Sequence, residues 1–245
     1  MSIIPIEVIK VGNIYNTFKK IWIRERKYIA VSLLLGFVIA LSFAIISSYR
    51  YSERIQSDIA KKVVRFHVLA NSNSPYDIDL KYKVRDAVIE YTKNFKDYKD
   101  REEFIGILSE NIDNIKNIAD NTLAMNNSNY KTKVFLSNDI FPYKEYGSVS
   151  FPAGEYLGLR IEIGEGKGDN WWCVMFPSMC FTDESCQSVE DEGLENLKDT
   201  LDFEEYSIIT SRDSENVTPK MKFKVVEMWQ ERKYSSDDFV TNSDK

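Results

Sequence analysis

The chain has 245 residues and a formal net charge of −6 at pH 7. This acidic balance argues against nucleic-acid binding, because proteins that bind nucleic acids usually present a basic surface. Once the N-terminal region is set aside, the length suits one domain of ordinary size. An apolar content of 43% is enough for a packed core.

An uncharged apolar segment runs from Ile29 to Ile46. Because about 17–25 apolar residues cross a bilayer as a helix, it predicts a transmembrane or signal-anchor helix over 29–49. A buried core helix is the alternative, which apolar character on every face disfavours. A modest excess of basic residues before the segment predicts that residues 1–28 are cytoplasmic. Those residues are Lys20, Arg24, Arg26 and Lys27, against Arg50 and Arg54 after it.

Whether this helix is removed after export stays open. A secretory signal usually has an apolar region of about 7–15 residues followed by a small-residue cleavage site. Here the apolar run is longer, and Ser47 and Ser48 have isoleucines two positions before them. The sequence therefore favours an uncleaved anchor over a cleaved signal peptide.

The following region opens with a predicted strand over Lys62–Leu69. A turn over 71–75 then leads into a helix, with Ser74 as its N-cap and Pro75 at its first position. Asp100 is predicted to cap a second helix, with a capping-box glutamate three residues later. Both helices carry apolar stripes at helical spacing. The stripes are Leu80, Val84, Ala87, Val88, Tyr91 and Phe95, then Phe104, Leu108, Ile112, Ile115, Ala119 and Leu123.

After the second helix the hydrophobic period changes to two. Strands are predicted over 130–136, 147–151 and 156–163 as a β-hairpin or meander, and 171–176 is a further candidate strand. The order β-α-α-β-β-β predicts an α+β domain over residues 60–185. In this class the helices cover one face of a mostly antiparallel sheet.

Residues 186–245 form an acidic C-terminal extension. Leucines at 194, 197 and 201 hint at a short amphipathic helix, whose charges are interpreted as a solvated face. Met221–Trp229 is a candidate last strand or helix, and the polar end over 235–245 is expected to fray.

A glycine-rich motif marks residues 164–181. Glycines stand at 164, 166 and 168, and Asn170, Trp171 and Trp172 follow. Three interpretations stay open: a turn that positions the tryptophans, a protein-binding surface, and a phosphate-binding loop. Tryptophan is enriched at interface hot spots, whereas the glycine spacing matches neither the Rossmann nor the P-loop pattern.

A second motif covers Arg65–Pro75 and continues over Leu80–Val88. Together the two motifs resemble the stage II sporulation protein R family, over roughly residues 60–185. That family comprises secreted signalling proteins of endospore-forming bacteria. The resemblance implies a signal made in the forespore and exported into the space between forespore and mother cell.

The resemblance also implies a partner and a mode of action. The partner is a membrane-embedded aspartic protease of the mother cell, of the stage II sporulation protein G A type, which processes pro-sigma E. The protein would then be an activating ligand, with no catalytic residues, cofactor or metal of its own. It would contact the membrane through residues 29–46.

The cysteines are Cys173, Cys180 and Cys186. The resemblance implies a disulfide between Cys173 and Cys180, since both fall on its motif, and Cys186 would be left over. Three free buried thiols are the alternative. A zinc site is disfavoured, because the chain has one histidine and the spacing is not that of a zinc cluster.

The rival function is a cell-wall or peptide hydrolase. Cys173 would be its nucleophile and His67 its base, with Asn71 or Asp169 as the orienting group. The position of His67 in an alternating strand instead favours a hydrogen-bonded structural histidine. Asp77 and Asp79 are interpreted as helix-start charges that suit the helix dipole.

The partner-binding surface is predicted where the two motifs meet. We expect the segment from His67 to Ser74 and the glycine loop with its tryptophans to lie near each other. The predicted contact residues are His67, Asn71, Ser72, Ser74, Gly164, Gly166, Gly168, Asn170, Trp171 and Trp172.

Overall fold

The computed structural model describes residues 11–96, 98–180 and 191–210. The chain divides into two compact units, residues 1–50 and residues 51–245. The described part of the first unit is helical and belongs to α1 (Val11–Ala60), whose last turns belong to the second unit. Cys186 and the candidate element Met221–Trp229 lie outside the described residues.

Apolar side chains of the first unit face outward. Leu33, Phe37 and Phe43 are 69%, 64% and 73% exposed. Among the described residues, Trp22–Ala60 is the helix that is long and apolar enough to cross a membrane. The N-terminal apolar helix is therefore confirmed, and it fits a transmembrane or a signal helix.

The second unit is an α+β domain. Its elements after α1 are β1 (Val64–Leu69), α2 (Pro75–Thr92), α3 (Arg101–Glu110), α4 (Ile112–Met125), β2 (Thr132–Phe141), β3 (Lys144–Tyr146), β4 (Val149–Phe151), β5 (Gly154–Ile163), β6 (Asn170–Phe176), α5 (Asp191–Thr200) and α6 (Phe203–Thr210). The caps of α2 and α3 are as predicted: Ser74 Oγ accepts from the Asp77 N–H, and the Asp100 carboxylate accepts from the Glu103 N–H.

The main sheet has four strands in the order β2-β5-β1-β6, and β3 and β4 form a separate hairpin. β2 pairs with β5 antiparallel and β1 with β6 antiparallel, whereas β1 and β5 run parallel. These registers place His67 opposite Arg160 on one side and opposite Trp172 on the other.

Both faces of this sheet are covered. Because side chains alternate along a strand, Phe66 and Val68 enter one core while Arg65 and His67 point to the other face. The first core packs beneath α2, α3 and α4. The second lies among the end of α1, the β3–β4 hairpin, α5 and α6, and contains Ile55, Ile59, Val63, Phe141, Val149, Phe151, Tyr156, Val174, Met179, Leu197, Leu201 and Ile209.

The α+β class and the mostly antiparallel sheet are confirmed, but the element order differs in detail. The predicted second helix is interrupted at Asn111, whose side chain donates to the Ile107 carbonyl and accepts from the Tyr91 hydroxyl. Such local side-chain bonds compete with the helix ladder, and α4 starts anew one residue later. The predicted strand over 147–151 pairs only within the hairpin, because β2 runs on to Phe141 and pairs with β5 along its whole length.

Two further differences concern the layers. Helices cover both faces of the sheet, since the end of α1 and the helices α5 and α6 pack opposite to α2–α4. The acidic extension therefore contributes to the body of the domain: Leu197 and Ile209 are buried in the second core.

Candidate functional site

The β1–α2 loop and the glycine loop between β5 and β6 are hydrogen-bonded to each other. The side chain of Asn71 accepts from the Glu165 N–H at 3.0 Å, and that of Asn73 accepts from the Asp169 N–H at 2.6 Å. The Gly168 N–H donates to the Ala70 carbonyl at 2.8 Å. The two sequence motifs thus lie side by side.

Two glycines make this close approach possible. A Cβ atom at Gly164 would lie 2.3 Å from the side-chain oxygen of Asn71, and one at Gly168 would lie 2.4 Å from the Ser72 carbonyl oxygen. Gly164 and Gly166 also adopt positive φ angles of 59° and 61°. The spacing of the glycines is therefore explained by loop packing, because any side chain at 164 or 168 would push the loops apart.

The carboxylate of Asp77, in the first turn of α2, holds the β1–α2 loop by hydrogen bonds. It accepts from Asn71 Nδ2 at 2.9 Å and from Ser72 Oγ at 2.5 Å. Asp77 is only 3% exposed. Burial by itself would raise the pKa of this carboxyl, but the hydrogen bonds from Ser72 and Asn71 hold the pKa below its ordinary 3.8. Three predicted contact residues, Asn71, Ser72 and Ser74, are thus also structural parts of the loop and its cap.

Lys81 and Arg85 follow Asp77 at four-residue intervals on α2, and both are buried. Lys81 Nζ donates to the Asp169 carbonyl at 3.1 Å. The Arg85 guanidinium lies over the Trp171 ring, 5.0 Å from its centre. One buried charged row, Asp77, Lys81 and Arg85, therefore contacts the β1–α2 loop, the glycine loop and the first tryptophan in turn.

The sequence interpretation missed this row. It assigned Asp77 to the helix dipole, because acidic residues are common in a first helical turn. The available signal was spacing: residues i, i+4 and i+8 lie on one helix face. Three charges in that spacing, next to an apolar stripe, mark a row that is either solvated or buried with hydrogen-bond partners. Here the row is buried, and each of its members has such a partner.

The two tryptophans point to opposite faces of the sheet, as adjacent residues in a strand must. Trp171 packs on the first core, where its ring meets Phe66 edge to face at 5.8 Å. Trp172 packs on the second core and stacks on His67 with ring centres 4.7 Å apart and planes 5° apart. Both indoles are half-buried, so each presents part of its surface to solvent.

His67 sits at the centre of a polar cluster on the second face. Its Nδ1 lies 3.4 Å from the side-chain oxygen of Asn170, and its Nε2 lies 3.4 Å from Asp139 Oδ2. Ser137 Oγ donates to the same Asp139 oxygen at 2.8 Å, and Arg160 donates to the other at 3.2 Å. Arg160 also pairs with Glu162, which extends the cluster along β5.

Charge in this cluster is unevenly distributed. Burial lowers the pKa of His67 below its ordinary 6.5, because an imidazolium would lose its hydration, and Asp139 only partly offsets this. Burial by itself would raise the pKa of Asp139, but hydrogen bonds with His67 and Ser137 and the charge of Arg160 hold it below 3.8. Both shifts favour an ionised Asp139 beside a neutral His67 at neutral pH.

The geometry rules out the Cys173–His67 dyad. Cys173 lies opposite Phe66 and faces the first core, whereas His67 faces the second. Cys173 is also joined to Cys180 in a disulfide, with Cα atoms 5.4 Å apart, so it offers no thiolate. The hydrolase alternative is therefore wrong in the form proposed from the sequence.

The polar cluster does not form a serine triad either. Ser137 donates to Asp139 directly, and in a triad the histidine must stand between the hydroxyl and the carboxylate. Within the ranges that the structure describes, no group of three or more histidine, cysteine, aspartate and glutamate side chains could hold a metal ion.

The predicted contact residues form one connected set. The Asn71–Ser74 segment meets the glycine loop, the glycine loop leads into Asn170, and Asn170 contacts His67 beneath Trp172. The sequence did not indicate the contributions of Asp139, Arg160 and Ser137, because their placement beside His67 depends on β2 and β5 joining the same sheet as β1.

This combination defines an α+β domain, preceded by an apolar helix, with a built loop surface at one end of its sheet. The sequence model of the stage II sporulation protein R family matches residues 60–186. A curated relative, stage II sporulation protein R of Bacillus subtilis (strain 168), is 37% identical over 163 residues, which cover 66% of this chain and 70% of the relative. The chain therefore belongs to the stage II sporulation protein R family. No solved structure shows a significant match to it.

Proposed function

We propose that this protein is an exported sporulation signal that activates a membrane-embedded aspartic protease of the mother cell, of the stage II sporulation protein G A type. Activation triggers processing of pro-sigma E. The domain acts in the space between forespore and mother cell, as a ligand and not as an enzyme. Membership of the family supports this proposal, since its members are sporulation proteins.

The observation that best supports a ligand role is the paired-loop surface within the matched region. Loop–loop hydrogen bonds and the buried Asp77, Lys81 and Arg85 fix this surface before any partner arrives. A surface ordered in advance loses little conformational entropy on binding. Two half-buried tryptophans flank it and supply the kind of side chain that dominates interface energies.

The mechanism requires differential affinity. A ligand shifts an equilibrium between inactive and active protease only if it binds the active form more tightly. A rigid surface discriminates well between two partner shapes, because it cannot adapt to the wrong one. We infer that the paired loops, Asn170 and the exposed parts of Trp171 and Trp172 make this contact.

The function is tested by co-expression in a non-sporulating bacterial host. This protein, its cognate protease and pro-sigma E are expressed together, and processing is followed by gel mobility. Processing that depends on this chain supports the activating role. Absence of processing, with the chain exported and folded, contradicts it.

Trp172 tests the surface in the same assay. We expect Trp172→Ala to reduce processing at least about tenfold, the loss typical of an interface hot spot. Met125→Ala is the control, because Met125 is 81% exposed and lies at the end of α4. Since Trp172 also packs on His67 and Phe141, near-ultraviolet circular dichroism must show that the variant is folded. A folded Trp172→Ala protein that activates normally would show that the contact lies elsewhere.

A further inference from the structure

The main sheet has two edge strands, β2 and β6, because its strand order is β2-β5-β1-β6. In the part of the chain that the structure describes, no further strand pairs with the outer side of either one. The backbone N–H and C=O groups along an unpaired edge can pair with another strand, so natural proteins usually protect such edges. The two edges of this sheet differ in that protection.

The edge formed by β6 is protected. Its pairing with β1 is irregular, with a register shift between Val64 and Arg65. The Trp172 carbonyl, in β6, already accepts from the Tyr146 hydroxyl of the β3–β4 hairpin at 3.1 Å. Irregular pairing and a covering segment are both devices that keep an edge from adding a strand.

The edge formed by β2 lacks these devices. The strand has ten residues, from Thr132 to Phe141, contains no proline, and pairs with β5 in an unbroken register. Near its middle, Phe135 is 43% exposed. A long, regular edge strand with exposed apolar side chains is the type that associates with other strands.

The hydrogen bonds at the start of β2 show which of its backbone groups point outward. The Lys131 carbonyl accepts from the Gly164 N–H, directly after β5, whereas the Thr132 N–H turns away from β5 and donates to Asp120. Directions alternate along an antiparallel strand, so even-numbered residues present their N–H and C=O to the outer side. These residues are Val134, Leu136, Asn138 and Ile140.

We propose that β2 is a self-association surface, at which a second copy of this chain adds its own β2 antiparallel in a two-fold symmetric dimer. The axis passes at Leu136, so each Leu136 N–H donates to the Leu136 carbonyl of the second copy. Val134 then lies opposite Asn138 of the second copy, and their outward groups pair in the same way. The dimer joins two four-stranded sheets into one.

Charge complementarity favours a second copy over an arbitrary strand. In this register Lys133, whose side chain is 66% exposed, lies opposite Asp139 of the second copy. Paired residues on adjacent strands project from the same face, where opposite charges attract and like charges repel. Lysine on an edge usually discourages pairing, but here each lysine meets a carboxylate. Between residues 132 and 140 no two like charges come opposite each other.

The association closes at two copies. Pairing through β2 leaves β6 as the outer strand at both ends of the joined sheet. Because β6 is protected, further copies have no open edge to join. A two-fold contact uses the same patch on both partners and ends in a closed dimer, whereas a head-to-tail contact would grow into a filament.

Sedimentation equilibrium of the full chain in density-matched detergent micelles tests the proposal. Asn138→Pro is the main variant: the Asn138 N–H points outward, so proline removes a donor of the dimer and spares the β2–β5 hydrogen bonds. Asn138→Ala is the matched control, because it removes the side chain and keeps the N–H. Circular dichroism and urea unfolding check that both variants are folded.

We expect the wild type to form a reversible dimer. Asn138→Pro should raise its dissociation constant at least about tenfold, because two-fold symmetry removes the hydrogen bond twice. Asn138→Ala should change the constant by less than about threefold, as is usual for a surface side chain.

A charge reversal tests the proposal if the proline variant does not fold. Lys133→Glu places like charges opposite each other and should also weaken the dimer. Lys93→Glu makes the same change in net charge at the end of α2, where the lysine side chain is 54% exposed, and should not.

A wild type that stays monomeric would overturn the proposal, and so would a dimer that Asn138→Pro, if folded, or Lys133→Glu leaves unchanged. Amide hydrogen exchange supplies the remaining check. Slow exchange of the Leu136 N–H at dilutions where the protein is monomeric would also overturn it, because another segment of this chain would then cover the edge.

Discussion

Asp77 and Asp120 are two carboxylates that each accept several hydrogen bonds, but only Asp77 supports the paired loops. Asp120 accepts from the backbone N–H and the hydroxyl of Thr132 at 2.7 and 2.9 Å, and it pairs with Lys116. Asp77 makes its bonds to Asn71 and Ser72. This difference allows a structural role to be separated from a role in partner binding.

We predict that Asp77→Asn and Asp120→Asn lower the free energy of unfolding by similar amounts, about 1–3 kcal/mol each, because both remove charge-assisted hydrogen bonds. Only Asp77→Asn should reduce pro-sigma E processing. Urea unfolding gives the first quantity and the co-expression assay the second. If the two variants were equally active in processing, the hydrogen-bond network of Asp77 would not be part of the surface that contacts the partner.

His67 predicts a pH dependence of stability. Its folded-state pKa is lowered below 6.5, so between the folded and unfolded pKa values the unfolded chain binds more protons. The free energy of unfolding should therefore fall as pH drops below about 6.5, by up to about 1.4 kcal/mol per pH unit. Asp139, whose pKa is also lowered, adds a loss only in the acid range, as pH falls below about 3.8.

The measurement is urea unfolding at pH 7.5, 6.5 and 5.5. Because the chain contains one histidine, His67→Gln should flatten the dependence above pH 5.5. If the free energy of unfolding of His67→Gln varied with pH as steeply as that of the wild type, other groups would be the cause of the pH dependence.

The limits of the sequence are clearest at the scale of single residues. Ser74, Pro75 and Asp100 were predictable, because caps depend on chain neighbours only. Asp139 and Arg160 were not, because their placement beside His67 depends on β2 and β5 joining the same sheet. Hydrophobic periodicity indicates which face of a helix or strand is apolar. Whether a charged side chain is buried depends on which other element packs against it, and periodicity does not give that neighbour.

At the scale of elements, β6 and the turn after it form a closed unit. The Met179 N–H donates back to the Val174 carbonyl at 3.1 Å, and the disulfide joins Cys173 to Cys180 across a separation of seven residues.

The parallel pairing of β1 with β5 could not be predicted from local patterns, because hydrophobic alternation indicates a strand without giving its neighbour. For the same reason, the sequence did not indicate that the hairpin over 144–151 lies outside the main sheet.

We predict that replacing both Cys173 and Cys180 with serine lowers the free energy of unfolding by about 2–3 kcal/mol, the chain-entropy value for a loop this short. Processing by the folded variant should be retained, since on the ligand proposal the sulfur atoms have no chemical role. Mass spectrometry with and without reductant checks the pairing, and the co-expression assay checks the function. Loss of processing by a stably folded variant would show that the disulfide also shapes the surface that contacts the partner.

At the scale of the whole molecule, the folded unit and the matched family region have different limits. The match begins at residue 60, but the second compact unit begins at Tyr51. Ile55 and Ile59 are 2% and 0% exposed, and Gln56 donates to the Glu155 carbonyl at 3.0 Å. The last turns of α1 are thus part of the second core.

This difference predicts where the chain can be cut. A chain that starts at Tyr51 should unfold cooperatively in urea, whereas one that starts at Lys61 should not, because it lacks two side chains that fill the second core. Ile59→Ala in the longer chain is the matched control, with an expected cost of about 2–5 kcal/mol. The same reasoning applies to export: a leader removed before Tyr51 leaves the core complete, and removal beyond Ile55 would expose it. If the chain that starts at Lys61 unfolded cooperatively, with the same denaturant slope as the chain that starts at Tyr51, the last turns of α1 would lie on the domain without being needed for its core.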